Sequence, residues 1–156
     1  MRREELLQRL SATPDRVAEL TRGLSPGQLT RRPAEGEWSV GEIVNHLLVG
    51  ERDVIFPRLK RMLLEESPSF PSSVSRGAGF AAAPEARNFA ADLAAFRKVR
   101  EETLALLETL ADSDWQRTGT TPTRGTLTIE AYARYLAEHD AEHLVQVETT
   151  RHRLAV

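Results

Sequence analysis

The stretch from Thr128 to Arg151, TIEAYARYLAEHDAEHLVQVETTR, constrains the chain more than any other. Ile129, Tyr132, Leu136, His139, His143 and Val147 recur at spacings of three and four, so they share one stripe of a long amphipathic helix. Two histidines therefore stand one turn apart on the face that points inward. Side chains four residues apart lie one above the other, which lets two imidazoles reach a single ion. Such a pair asks for a third ligand from another part of the chain.

The remainder reads as further helices with unequal connections. Leu6, Leu7 and Leu10 begin an apolar stripe that Val17, Leu20 and Leu24 continue over residues 3–23. Thr13-Pro14 interrupts it with an N-cap residue followed by proline, which predicts a fresh helical start or a kink there. Ser25-Pro26 opens a short helical turn, and residues 31–37 read as loop. Ser39 with Glu42 three residues on is a capping box, so a second long helix begins at Val40 and carries His46 on the edge of its apolar side. Gly50, one turn beyond His46, leaves space beside that imidazole. Pro57 predicts a kink without a stop, because Leu59, Met62 and Leu63 continue the pattern.

Residues 67–84 lose all periodicity and are rich in Ser, Pro, Gly and Ala, a surface connection longer than the usual ~4–6 residues. If this segment instead covers a site, Phe70 and Phe80 are its candidate anchors. A third long helix follows over residues 86–111, marked by Phe89, Leu93, Phe96, Val99, Leu104 and Leu107. Residues 112–125 read as loop, Thr128 caps the last helix, and no stretch carries a strand pattern. Four long helices give an all-α four-helix bundle with long crossover loops, one domain over residues 1–156.

Composition matters chiefly for what it excludes. With no cysteine, disulfides, thiolate metal sites and cysteine nucleophiles are all absent, so a metal must be held by His, Asp, Glu or water. That donor set suits Zn, Ni, Mn or Fe. A net charge of −2 points to neither nucleic acid nor an anionic membrane as partner. No apolar run approaches the ~20 residues that span a bilayer, and the start MRREELLQRL lacks the apolar core of a signal peptide. The chain reads as cytoplasmic. His139-Asp140-Ala141-Glu142-His143 is not the HExxH metalloprotease pattern, since Glu142 lies about 100° around the helix from His143.

Trp38-Ser39 at a helix start, His46 seven residues later, then Gly125-Thr126-Leu127-Thr128 leading into His139-Asp140-Ala141-Glu142-His143-Leu144-Val145-Gln146 resembles the DinB/YfiT-like superfamily. The likeness runs over roughly Leu6 to Arg151 and is weakest across 67–84. It implies a four-helix bundle in which His46, His139 and His143 bind one divalent metal. At Thr120, where many members carry histidine, this chain has threonine and no role is assigned. Members with known activity add a low-molecular-weight thiol to an electrophile or carry out thiol-dependent isomerisation. The resemblance thus implies a transferase acting on a small-molecule substrate with a thiol such as bacillithiol or mycothiol, and a homodimer. A metal-dependent hydrolase and a non-catalytic metal- or ligand-binding bundle are the alternatives. Three neutral imidazoles leave an open coordination position, the arrangement of catalytic zinc sites.

Other polar residues take plainer readings. Glu42 is engaged by the capping box, Asp53 reads as solvated surface with a hydrogen-bond or proton acceptor near His46 as the alternative, and His152 sits where a helix C-terminus favours a cation. Trp38 and Trp115 read as packing anchors. Gln146, three residues after His143, reads first as a residue without a role at a site, with lining a pocket or orienting a ligand as the alternative. The Lys and Arg residues are spread out and read as a solvated face.

Overall fold

The computed structural model describes residues 1–72 and 88–154, so Phe80 lies outside the described residues. Helix α1 spans Arg3–Thr21 and the short α2 spans Pro26–Thr30. The second long rod is composite: α3 over Val40–Gly50, a π-helical turn over Glu51–Ile55, and α4 over Phe56–Leu64. Helix α5 covers Phe89–Glu108, α6 covers Asp112–Trp115, strands β1 and β2 cover Thr118–Thr121 and Gly125–Thr128, and α7 covers Ile129–Leu154.

These rods form a four-helix bundle. α1 packs on α5 and α7, and α3 packs on the same two, so the consecutive rods α1 and α3 stand across a diagonal. The apolar stripes meet in the middle. Leu6, Leu10, Leu59, Met62, Leu107, Ile129 and Leu136 form one cluster, and Val17, Val44, Leu47, Phe96 and Val99 another.

The starts of the helices follow their sequence signals. Ser39 Oγ accepts from the Glu42 amide at 3.1 Å while Glu42 returns a carboxylate oxygen to the Ser39 amide at 3.1 Å, so α3 begins at Val40. Asn88 Oδ1 accepts from the Ala91 amide to start α5, and Thr128 Oγ1 from the Ala131 amide to start α7.

Of the two outcomes expected at Thr13-Pro14, a fresh helical start is not the one that forms, since α1 runs on through Pro14. Proline lacks the N–H that would bond the Leu10 carbonyl, and Arg100 Nη1 donates to that oxygen instead at 2.8 Å. Thr13 is no cap: its hydroxyl donates to Asp140 Oδ2 at 2.7 Å. At Pro57 the expected irregularity takes the form of the π turn. The Phe56 amide reaches back five residues to the Glu51 carbonyl, and the α-helix resumes with Pro57 in its first turn, where no donor is required.

The loop expected over 112–125 contains regular structure as well. Asp112–Trp115 is helical, and β1 and β2 form an antiparallel hairpin that pairs Thr118 with Thr128 and Thr121 with Gly125. Gly125, at φ +68°, closes the turn in a conformation that favours glycine. The beginning of the irregular segment docks on this hairpin, since Phe70 N donates to Thr120 O and Thr120 N to Pro68 O, each at 2.8 Å. Phe70 is buried in the core with 7% of its surface exposed. Among the described residues no helix is long and apolar enough to cross a membrane.

Candidate metal centre

α3 and α7 lie side by side, and their facing stripes carry His46 from one and His139 and His143 from the other. The three Nε2 atoms point at a common place. His46 Nε2 is 3.2 Å from His139 Nε2, and His143 Nε2 is 3.1 Å from His139 Nε2. One ligand atom from each of the three residues lies within 4.8 Å of the others.

Hydrogen bonding alone accounts poorly for that arrangement. An imidazole nitrogen carries either one proton or one lone pair, so His139 Nε2 cannot give full-strength hydrogen bonds to two other ring nitrogens at once. A tetrahedral cation with metal–nitrogen bonds near 2.05 Å sets its ligand nitrogens about 3.3 Å apart. The donor set and spacing therefore fit a divalent ion.

The groups around the triad hold it in place. His143 Nδ1 donates to Gln146 Oε1 at 2.7 Å, which leaves the Nε2 lone pair directed toward the centre. Trp38 lies against the imidazoles, its ring 5.0 Å from that of His46 and stacked 6.4 Å from that of His143. Tyr135 covers His139 at 5.7 Å between ring centres. A cavity of about 180 Å³ opens beside His46 and His139, and Gly50, Arg58, Arg124 and Tyr132 also line it. No atom lies within 4 Å of where a Cβ on Gly50 would sit, so the absent side chain does leave room there. A wider hollow of about 520 Å³ lies on the His143 side, next to Trp38 and Gln146.

One helical step from His139, Asp140 turns away from the centre into the core. Arg100, 1% exposed, donates to Asp140 Oδ2 at 2.6 Å and to Glu51 Oε1 at 2.6 Å. Thr103 donates to Glu51 and Thr13 to Asp140, completing a buried network that ties α1, α5, α7 and the π turn together. Burial works against the Arg100 charge, but the two carboxylates outweigh it and hold the guanidinium firmly cationic.

The profile of the DinB superfamily matches residues 9–147. The chain belongs to the DinB superfamily. The uncharacterised protein YuaE of Bacillus subtilis (strain 168) is 24% identical over 144 residues, 85% of this chain and 89% of YuaE. YfiT from Bacillus subtilis, described as a probable metal-dependent hydrolase with an unusual four-helix bundle topology, superposes with a TM-score of 0.88 at 21% identity, covering 99% of this chain and 90% of that one. At that identity the likeness is one of fold.

In this DinB-superfamily chain the three histidines singled out in the sequence come together, and Gln146 joins them through His143. Asp53 is exposed and paired with Arg52. His152 is exposed near the end of α7. Trp115 is a packing residue, 4% exposed, whereas Trp38 is half-buried against the triad as well as packed on its own cluster. Tyr135 and the two cavity arginines escaped the sequence reading. Tyr135 lies one turn before His139, a spacing that could have marked it.

Proposed function

We propose that this chain is a divalent-metal-dependent enzyme that transfers a low-molecular-weight thiol to an electrophilic small molecule. The observation that carries the reading is the approach of the His46, His139 and His143 Nε2 atoms to one another, with His46 and His139 lining a cavity. His46, His139 and His143 would hold the ion, which could be Zn, Ni, Mn or Fe, since neutral imidazole accepts each of these. Bound there, it supplies Lewis acidity, which lowers the pKa of a thiol or a water and yields a nucleophile at neutral pH.

The chain's own residues supply the rest. Gln146 holds the Nδ1 proton of His143, fixing the tautomer and the ring orientation. Trp38 packs its ring against the imidazoles of His46 and His143 and helps hold them in place. The cavity beside His46 offers guanidinium, hydroxyl and imidazole groups and has no carboxylate among its described lining residues to serve as general base. A thiol, with an ordinary pKa near 8.5, needs far less help to ionise than water does, which favours thiol as the nucleophile. With a haloalkane, the C–S bond forms as the carbon–halogen bond breaks, halide leaves with both electrons, and the thiol proton passes to solvent.

Hydrolysis is the second reading, favoured by the fold shared with YfiT and that protein's description. Metal-loaded protein incubated with a haloalkane or an epoxide, with and without bacillithiol or mycothiol, separates the two. Thioether formed only when thiol is present supports transfer. Alcohol or diol formed without thiol makes the protein a hydrolase. Stoichiometric metal with neither product makes it a metal- or ligand-binding bundle.

A further inference from the structure

The cavity beside His46 and His139 holds two guanidinium groups and no acidic residue among its described lining. Arg58 comes from α4. Its Nη1 donates to the Tyr132 hydroxyl at 3.3 Å and its Nη2 to the Pro71 carbonyl at 2.9 Å, so it is fixed by neutral acceptors. Arg124 comes from the hairpin turn and lies flat on Tyr135, 3.5 Å from the ring centre. Among the described residues, neither forms a salt bridge. Elsewhere arginine commonly does: Arg3, Arg32, Arg52, Arg61, Arg97 and Arg153 each meet a carboxylate.

This concentration of positive charge is unfavourable by itself, and a dication on the three histidines would add to it. A guanidinium held in place by neutral partners keeps donor capacity and full charge for an anion, and its planar fork matches carboxylate and phosphate oxygens. The space is small. At about 180 Å³ it is smaller than the usual ~300–1,000 Å³ of drug-sized ligand pockets, which suits a short organic acid or a phosphate ester rather than a long chain.

We infer that this cavity binds the oxyanion group, carboxylate or phosphate, of a small substrate or co-substrate between Arg58 and Arg124, and so directs its reactive atom toward the histidine triad. The inference rests on the triad being the reacting centre, and it narrows one of the two reactants, substrate or co-substrate, to an anionic small molecule.

The test uses full-length, metal-free protein, so that binding to the arginines is read apart from binding to metal. Succinate, methyl phosphate and neutral succinamide are titrated by calorimetry or by NMR shift mapping, with wild type, Arg124→Gln and Arg58→Gln/Arg124→Gln. One or both anions should bind with at least about tenfold preference over succinamide, and each variant should lose that preference, as expected where a charged hydrogen-bonded pair is removed. The better of the two anions identifies the group. Arg124 is exposed on a turn, so Arg124→Gln remains informative even if the double variant folds poorly. Equal affinity for anion and amide, no binding at all, or unchanged affinity in Arg124→Gln would overturn the inference. Metal uptake on the histidines is measured separately. Uptake without anion preference defeats this inference alone, whereas anion preference without uptake defeats the proposed function.

Discussion

His143 Nδ1 donates to Gln146 Oε1 across 2.7 Å, one turn along the same helix. The amide oxygen can only accept, so it fixes the proton on Nδ1 and leaves Nε2 as the ligand atom. Gln146→Ala should therefore weaken metal binding by about 10–100-fold, the usual effect of losing a hydrogen-bond partner of a metal-bound histidine. Gln146→Glu, which keeps an acceptor, should retain most of the affinity. Competition titration against a chelating dye measures both, and Gln146→Ala binding as tightly as wild type would remove this positioning role.

The buried Arg100 network yields a stability prediction. Arg100→Met would leave Glu51 and Asp140 in the core without their cation, a loss of about 3–5 kcal/mol. It would also remove the donor that serves the Leu10 carbonyl opposite Pro14. Urea denaturation should show a much lower midpoint with little change in slope. Replacing all three charged residues by apolar ones of similar volume should recover much of the loss, because the ions then no longer need to be desolvated.

Glu42 sets a pH dependence. Burial tends to raise its pKa, but the hydrogen bonds from Arg32 and Ser39 prevail and hold it below the usual carboxylate range. A folded-state pKa lower than the unfolded one stabilises the fold above the unfolded value, and that contribution disappears as pH falls through the folded value. Glu42→Gln should cost about 1–3 kcal/mol at pH 7, and the gap to wild type should narrow as pH drops below about 4. Urea midpoints compared at pH 7 and pH 3 read this directly, and a constant gap would contradict it.

Gly119 faces Met62 and Phe70 so closely that a Cβ there would sit 2.8 Å from both Met62 Cγ and Phe70 Cε2. Gly119→Ala should cost about 1–3 kcal/mol through overpacking and loosen the contact of residues 68–70 with the hairpin. Thermal unfolding measures the first effect, and faster amide exchange at Phe70 the second.

The bundle and the His139/His143 pair can be read from the sequence, because both depend on spacing within single helices, whereas His46 enters as the third ligand only through the family resemblance. The stripe through Ile129, Tyr132, His139 and His143 and the Ser39/Glu42 capping box are local signals, and the structure follows them. What escaped depends on partners distant in the chain. Pro14 stays within a continuous helix because Arg100, far along the chain, takes over the Leu10 carbonyl, and no local pattern announces that. Strands of four residues made largely of threonine and glycine are too short to establish an alternation, so the hairpin was hidden. Arg58 and Arg124 read as ordinary surface charges in the sequence, and only the fold brings both to the lining of one cavity.

Cobalt(II) titration of the purified protein tests most directly whether three imidazoles share one cation. Wild type should bind one cobalt per chain, with visible absorption bands of a nitrogen-ligated site. His46→Ala, His139→Ala and His143→Ala should each weaken binding by at least about 100-fold and change that spectrum. Cobalt bound with the same affinity and spectrum after loss of His46 would show that α3 contributes no ligand, and the proposed centre would be wrong.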